Sequence, residues 1–158
     1  MERKEFEKLV SGKEGEFFDR VQNLEKLGKD RVGEKIAAFA TSNGGLLLFG
    51  QADDKTAVGI EPEKLIRGIG ELAQNLDPLP TLEGPEFFQE KSKTLAVLRV
   101  VSLGHGGPCS YKGVAFRRVQ DSNVRITPRE LYRLWSAQGK LYFEERPSNA
   151  PLDAIDRD

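Results

Sequence analysis

One cysteine, Cys109, and one histidine, His105, are all that the 158 residues hold of two of the commonest metal-binding side chains. That excludes an internal disulfide and a Cys/His zinc centre. No apolar run approaches the roughly 18 residues of a membrane-spanning helix. The opening residues Met1-Glu2-Arg3-Lys4-Glu5 lack the apolar core of a secretory signal. Excess charge is missing too. Lys plus Arg is 24 and Asp plus Glu is 25, for a formal net charge of -1, which excludes a histone-like polycation. With 38% hydrophobic residues, the balance also argues against whole-chain disorder. There is no Walker-type Gly-x-x-x-x-Gly-Lys-Ser/Thr and no internal repeat. What remains is a soluble, cytoplasmic protein with one domain over residues 1–140 and an extended tail over 141–158.

Periodicity predicts a short amphipathic helix over 2–10 and a strand over Glu14 to Val21. A longer helix is expected with Asp30 as its N-cap and Val32, Ile36, Ala37, Phe39 and Ala40 on its apolar side, closing at Asn43-Gly44. Leu46-Leu47-Leu48-Phe49, bounded by glycines, reads as a central strand covered on both faces. Asp53-Asp54-Lys55 is a turn, with a returning strand at Ala57 to Ile60. A helix from Pro62 to Leu76, a proline-containing loop to Pro85, strands at 86–90, 94–101 and 114–119, and a Gly-rich loop at 102–108 follow. Thr127-Pro128-Arg129-Glu130 is a capping box that opens a helix through Trp135, whose indole is expected in the core. The expected class is α+β: a mixed, largely antiparallel central sheet with helices packed on it.

Three constellations carry chemistry. Glu14 and Glu16, alternate residues of the expected strand, would face the same side, with Asp53 just beyond the central strand. Three converging carboxylates could hold magnesium or manganese for phosphodiester cleavage, with Lys35 beside the phosphate. The other reading is a pair of solvated glutamates and a turn. Lys112, Arg117, Arg118, Arg125, Arg129 and Arg133 form a basic segment that fits a polyanion, interleaved with Tyr111 and Phe116 for base stacking. The other reading is a solvated strand and helix. Gly44-Gly45 either caps a helix and lets backbone pack closely or presents N–H donors to a phosphate. Cys109 reads as a small semi-buried residue.

The block from Ala37 through Gly44-Gly45 to Gly50, with Asp53-Asp54 and Val58-Gly59-Ile60, resembles the Schlafen-type AlbA-like domain. The resemblance extends back to Glu14-Gly15-Glu16-Phe17-Phe18 and forward through Pro108, Gly113, Phe116 and Arg118 to Glu130 and Leu131, covering most of 5–136. Thr41 stands where the family has Asn, Phe18 where it has Lys, and Lys55 where Gly is common.

The resemblance implies a nucleic-acid-binding module, regulatory and weakly sequence-specific, acting on DNA or RNA. Phosphate contacts fall to Lys112, Arg117, Arg118 and Arg125, with Gly44 and Gly45 nearby. It also implies a second reading, an endoribonuclease for structured RNA using Glu16, Asp53 and Glu14, with Glu16 and Asp53 as metal ligands. Phe18 in place of the Lys weighs against it. A ligand-free protein-interaction domain is the third. Eukaryotic relatives face two similar lobes across a basic groove; one copy here implies a homodimer. The tail resembles the segment that precedes further regions in longer relatives.

Overall fold

The computed structural model describes residues 1–137 and is α+β, as the sequence implies. The chain divides into two units, Met1–Arg125 and one that begins at Ile126. The expected limit at residue 140 and the tail over 141–158 lie outside the described residues.

In the first unit, α1 (Arg3–Ser11) precedes β1 (Phe18–Val21), α2 (Leu24–Leu27) and α3 (Lys29–Thr41). Then come β2 (Gly45–Phe49), α4 (Pro62–Ala73), β3 (Leu76–Asp77), β4 (Leu82–Glu90), β5 (Lys93–Val100), β6 (Ser110–Tyr111), β7 (Val114–Val119) and β8 (Ser122–Arg125). The strands form two four-stranded sheets, ordered β1-β2-β5-β4 and β3-β6-β7-β8. Only β1 and β2 pair in parallel; the rest of both sheets is antiparallel.

The apolar run of β2 is explained by burial on both sides. Leu47 and Phe49 join the large core that includes Val32, Ile36 and Phe39 of α3. Leu48 faces the other way, into a smaller core built on Phe6 of α1. β5 alternates likewise, with Ala96, Leu98 and Val100 in the large core and Leu95 and Val97 in the small one. In β2, two faces buried at once leave no polar position.

Helix α3 ends where Gly44, at φ 77°, turns its N–H back to the Phe39 carbonyl at 2.8 Å. A side chain on Gly44 would meet the Val100 carbonyl at 2.7 Å, so the turn admits glycine alone. Gly33 lies face to face with a ring: a Cβ there would sit 2.2 Å from Tyr111. The start of α3 departs from expectation, since Gly28 is its cap and Asp30 lies in its first turn.

Other elements differ as well. β1 begins at Phe18, so Glu14 and Glu16 precede the strand. The return at Ala57 reduces to a single bridge with Gln51. Leu76 belongs to β3, and the expected loop to Pro85 carries the start of β4, irregular between Glu83 and Glu86. In the second unit, α5 (Pro128–Ala137) begins as the capping box requires, its Glu130 N–H donating to Thr127 Oγ1 at 3.2 Å. None of its residues is buried; Trp135 is 36% exposed, against the core position expected for it.

Candidate functional site

Successive residues of a strand point to opposite faces, and β1 uses this to aim two charges in two directions. Asp19 faces α3 and β7. Its Oδ2 accepts hydrogen bonds from Lys35 Nζ at 2.6 Å and Arg118 Nη1 at 3.0 Å. Arg20 faces the end of α1, donating to the carbonyls of Leu9, Val10 and Gly12 and, through Nε, to Gln51 Oε1. It thereby closes the carbonyl end of that helix with a positive charge. Gln51, also buried, donates to the carbonyls of Val10 and Lys55.

This pair of clamps fixes the segment that carries Glu14. The Arg20 N–H donates to Glu14 Oε2 at 3.0 Å, and Glu14 shares a hydrogen bond with Asp19. Burial first, then that bond and the neighbouring charges of Asp19 and Asp53, push the Glu14 carboxyl up to about 7. Burial also raises Asp19, but the hydrogen bond from Glu14 and the charges of Lys35 and Arg118 outweigh it and hold Asp19 below the usual carboxylate range.

A pH dependence follows. Folded, Glu14 keeps its proton up to about 7; unfolded, it releases it near its ordinary 4.5. Between those values the folded chain binds the extra proton, so stability falls as pH rises through the window. Glu14→Gln removes that slope. Its urea midpoint should match the wild type near pH 4 and exceed it at pH 8; parallel profiles for the two chains would contradict the assignment.

Glu14, Glu16 and Asp53 do not assemble as a cation site. Glu16 and Asp53 are both exposed. Among the described residues no three His, Cys, Asp or Glu are arranged to hold a metal ion. The three carboxylates therefore do not converge on one magnesium or manganese ion. Lys35, expected beside a phosphate, is engaged by Asp19 and its side chain is only 13% exposed.

The basic segment separates into inward and outward members. Arg118 is an inward one, against the phosphate role expected of it. Its side chain is 0% exposed and donates to the carbonyls of Gly15, Phe18 and Gln120 and to Asn123, and its guanidinium stacks on Phe39 at 4.7 Å. Strand alternation leaves Arg117 half-buried on the other face. Tyr111 and Phe116 are buried, so neither is placed to stack on a base.

Lys112 and Arg125 face outward. The two-residue turn Lys112-Gly113, both at positive φ, joins β6 to β7 and lifts Lys112 into solvent. Lys112 and Arg125 line one shallow depression with Asp30, Glu34, Val114 and the edges of both aromatic rings. Asp30 accepts from Lys112 at 2.9 Å and from the Tyr111 hydroxyl at 2.9 Å, and both bonds lower its carboxyl. The Gly44 N–H is occupied by Phe39, and a Cβ on Gly45 would strike the Phe39 ring at 2.5 Å. The glycine pair therefore serves the helix-to-strand turn, with the Gly44 N–H already bonded within it. Arg129 and Arg133 are exposed on α5.

Asp19, Arg20 and Gln51 were not legible as site residues. The available signal was a charged pair, Asp19-Arg20, set between Phe17-Phe18 and Val21. Charge inside an apolar strand calls for buried partners. Cys109, expected to be semi-buried, is fully buried; burial raises its thiol to about 11, away from any nucleophilic role.

A family model described as Schlafen, AlbA_2 matches residues 14–127. No curated protein matches the chain. Among solved structures, the DIP2311 protein from Corynebacterium diphtheriae is similar, with a TM-score of 0.56 at 17% identity. That match covers 84% of this chain and 27% of the other, so this chain spans about a quarter of that protein's length. The likeness is one of fold. Among the described residues no helix is long and apolar enough to cross a membrane.

Proposed function

The chain belongs to the Schlafen, AlbA_2 family, a nucleic-acid-related domain, and from that premise we propose that it binds nucleic acid with little sequence preference, in a regulatory role. The observation that carries this reading is the depression that brings Lys112 and Arg125 to one outward face. The Lys112–Asp30 pair is solvent-exposed, at 52% and 60% for the two side chains, and so holds the lysine weakly. A phosphate can take the place of that carboxylate. Arg117, half-buried on the opposite face of β7 and outside that depression, is a further proposed phosphate contact. A homodimer would set two such faces across a twofold axis, supplying the second wall that one copy lacks.

The test is a salt titration of binding to labelled duplex DNA and to tRNA. Arg125→Ala and Lys112→Ala should each weaken both complexes to a similar degree and reduce the salt slope by about one. Unchanged affinity in both variants at low salt removes the phosphate role. The same reactions with magnesium or manganese address cleavage. Metal-dependent RNA cleavage by the wild type, lost in Glu16→Gln/Asp53→Asn, would favour the nuclease reading instead. Sedimentation with nucleic acid present should show a dimer at micromolar concentration, and a monomer would contradict the assembly.

A further inference from the structure

A larger cleft lies within the first unit, on residues that the nucleic-acid reading does not use. It has a volume of about 620 Å³ and is walled by α4, the loop before it, the segment after β1 and the turn between β4 and β5. That size is within the range of roughly 300–1,000 Å³ typical of small-molecule sites.

Its apolar side comes from Leu24, Val58, Ile60 and Leu65. Leu24 and Leu65 are anchored in the large core, whereas Val58 is 36% exposed and offers its surface to whatever enters. Gly59, at φ 89°, lies against the aliphatic stem of Lys93, which extends the apolar wall up to its ammonium group.

The charged lining is unevenly compensated. Lys29 pairs with Glu71, and Lys64 lies 3.5 Å from Glu61 and 3.9 Å from Glu25. The three acids of the cleft are thus taken up by two of its four bases. Arg67 lends its field to Glu71 without an ion pair, and neither it nor Lys93 is in an ion pair among the described residues. Two cations outside any ion pair among the described residues, beside an exposed apolar wall, match a ligand with the complementary halves.

We propose that this cleft binds a small organic anion, an apolar body carrying one sulfonate, carboxylate or phosphate group, with the body on Val58 and Ile60 and the anion between Arg67 and Lys93. The assignment is independent of the nucleic-acid reading, and its test uses different residues and a different readout. The probe is 8-anilinonaphthalene-1-sulfonate, added to the folded chain and followed by fluorescence and by amide chemical shifts.

One equivalent should bind saturably and move the amides of Gly59, Gly68 and Thr94. Arg67→Glu/Lys93→Glu should weaken it at least tenfold with the circular dichroism spectrum unchanged. The neutral analogue N-phenyl-1-naphthylamine should bind at least tenfold more weakly than the sulfonate. If the double variant does not fold, Arg67→Gln and Lys93→Gln separately should each weaken the probe about threefold or more. Binding of several equivalents, shifts confined to other surfaces, or equal affinity for wild type and charge variants would overturn the proposal.

Discussion

Arg118→Ala should lower the stability of the folded chain by about 3–5 kcal/mol, the range for removing one member of a buried ion pair. The reason is the completeness of the clamp. The side chain is 0% exposed and Asp19 is 4% exposed, so the aspartate left behind is buried with Lys35 as its one remaining ion-pair partner among the described residues. The carbonyls of Gly15 and Phe18, which Arg118 also satisfies, would lose a donor at the same time. Urea denaturation is the measurement. Asp19→Ala/Arg118→Ala should cost clearly less than the sum of the single changes, because neither charge is then stranded. A loss below about 1 kcal/mol in Arg118→Ala would refute the clamp. The folded fraction of Arg118→Ala should keep its affinity for nucleic acid, which separates this arginine from Arg125.

Phe39→Ala should be of similar size, about 3–5 kcal/mol, through the cavity left by a large core side chain. Phe39 is 0% exposed and touches three parts of the structure at once. Its ring supports the Arg118 guanidinium at 4.7 Å, fills the space above Gly45, and belongs to the core shared by α3 and β2. Phe39→Leu, which restores much of the volume, should recover part of the loss in the same denaturation experiment. Equal losses for Ala and Leu would show that the cation–ring contact, rather than packing, dominates at this position.

The elements readable in advance were those whose period is local. The apolar stripe of α3, the bounded run of β2, the pair β4–β5 and the strand β7 each hold their pattern within a few residues of chain. β3 and β6 are two residues long and carry no period at all; they exist as strands only because each pairs with another segment. β8, Ser122–Arg125, is a polar edge whose alternation is too short to register. The strand expected from Glu14 failed at its start for a different reason: Glu14 is held by the Arg20 N–H and Asp19, outside any ladder.

Composition and spacing determined the α+β class, the buried central strand and the Gly44-Gly45 turn; the family resemblance rested on the particular residues of the block from Ala37 to Gly50 with Asp53-Asp54 and Val58-Gly59-Ile60. Composition and spacing also determined that the basic residues cluster in one segment. Which of those bases meets solvent was decided by the tertiary structure. Arg117 and Arg118 are adjacent and chemically identical, yet a strand sends alternate side chains to opposite faces, and only the placement of Asp19 made one of those faces a buried ion pair. The same holds for the carboxylates. The sequence presents Glu14, Glu16, Asp19 and Asp53 as equals; the fold exposes Glu16 and Asp53, clamps Asp19 between two cations, and pushes the Glu14 carboxyl up to about 7. Burial and partner charge set these outcomes, and both depend on residues about 100 positions apart in the chain, as Asp19 and Arg118 are.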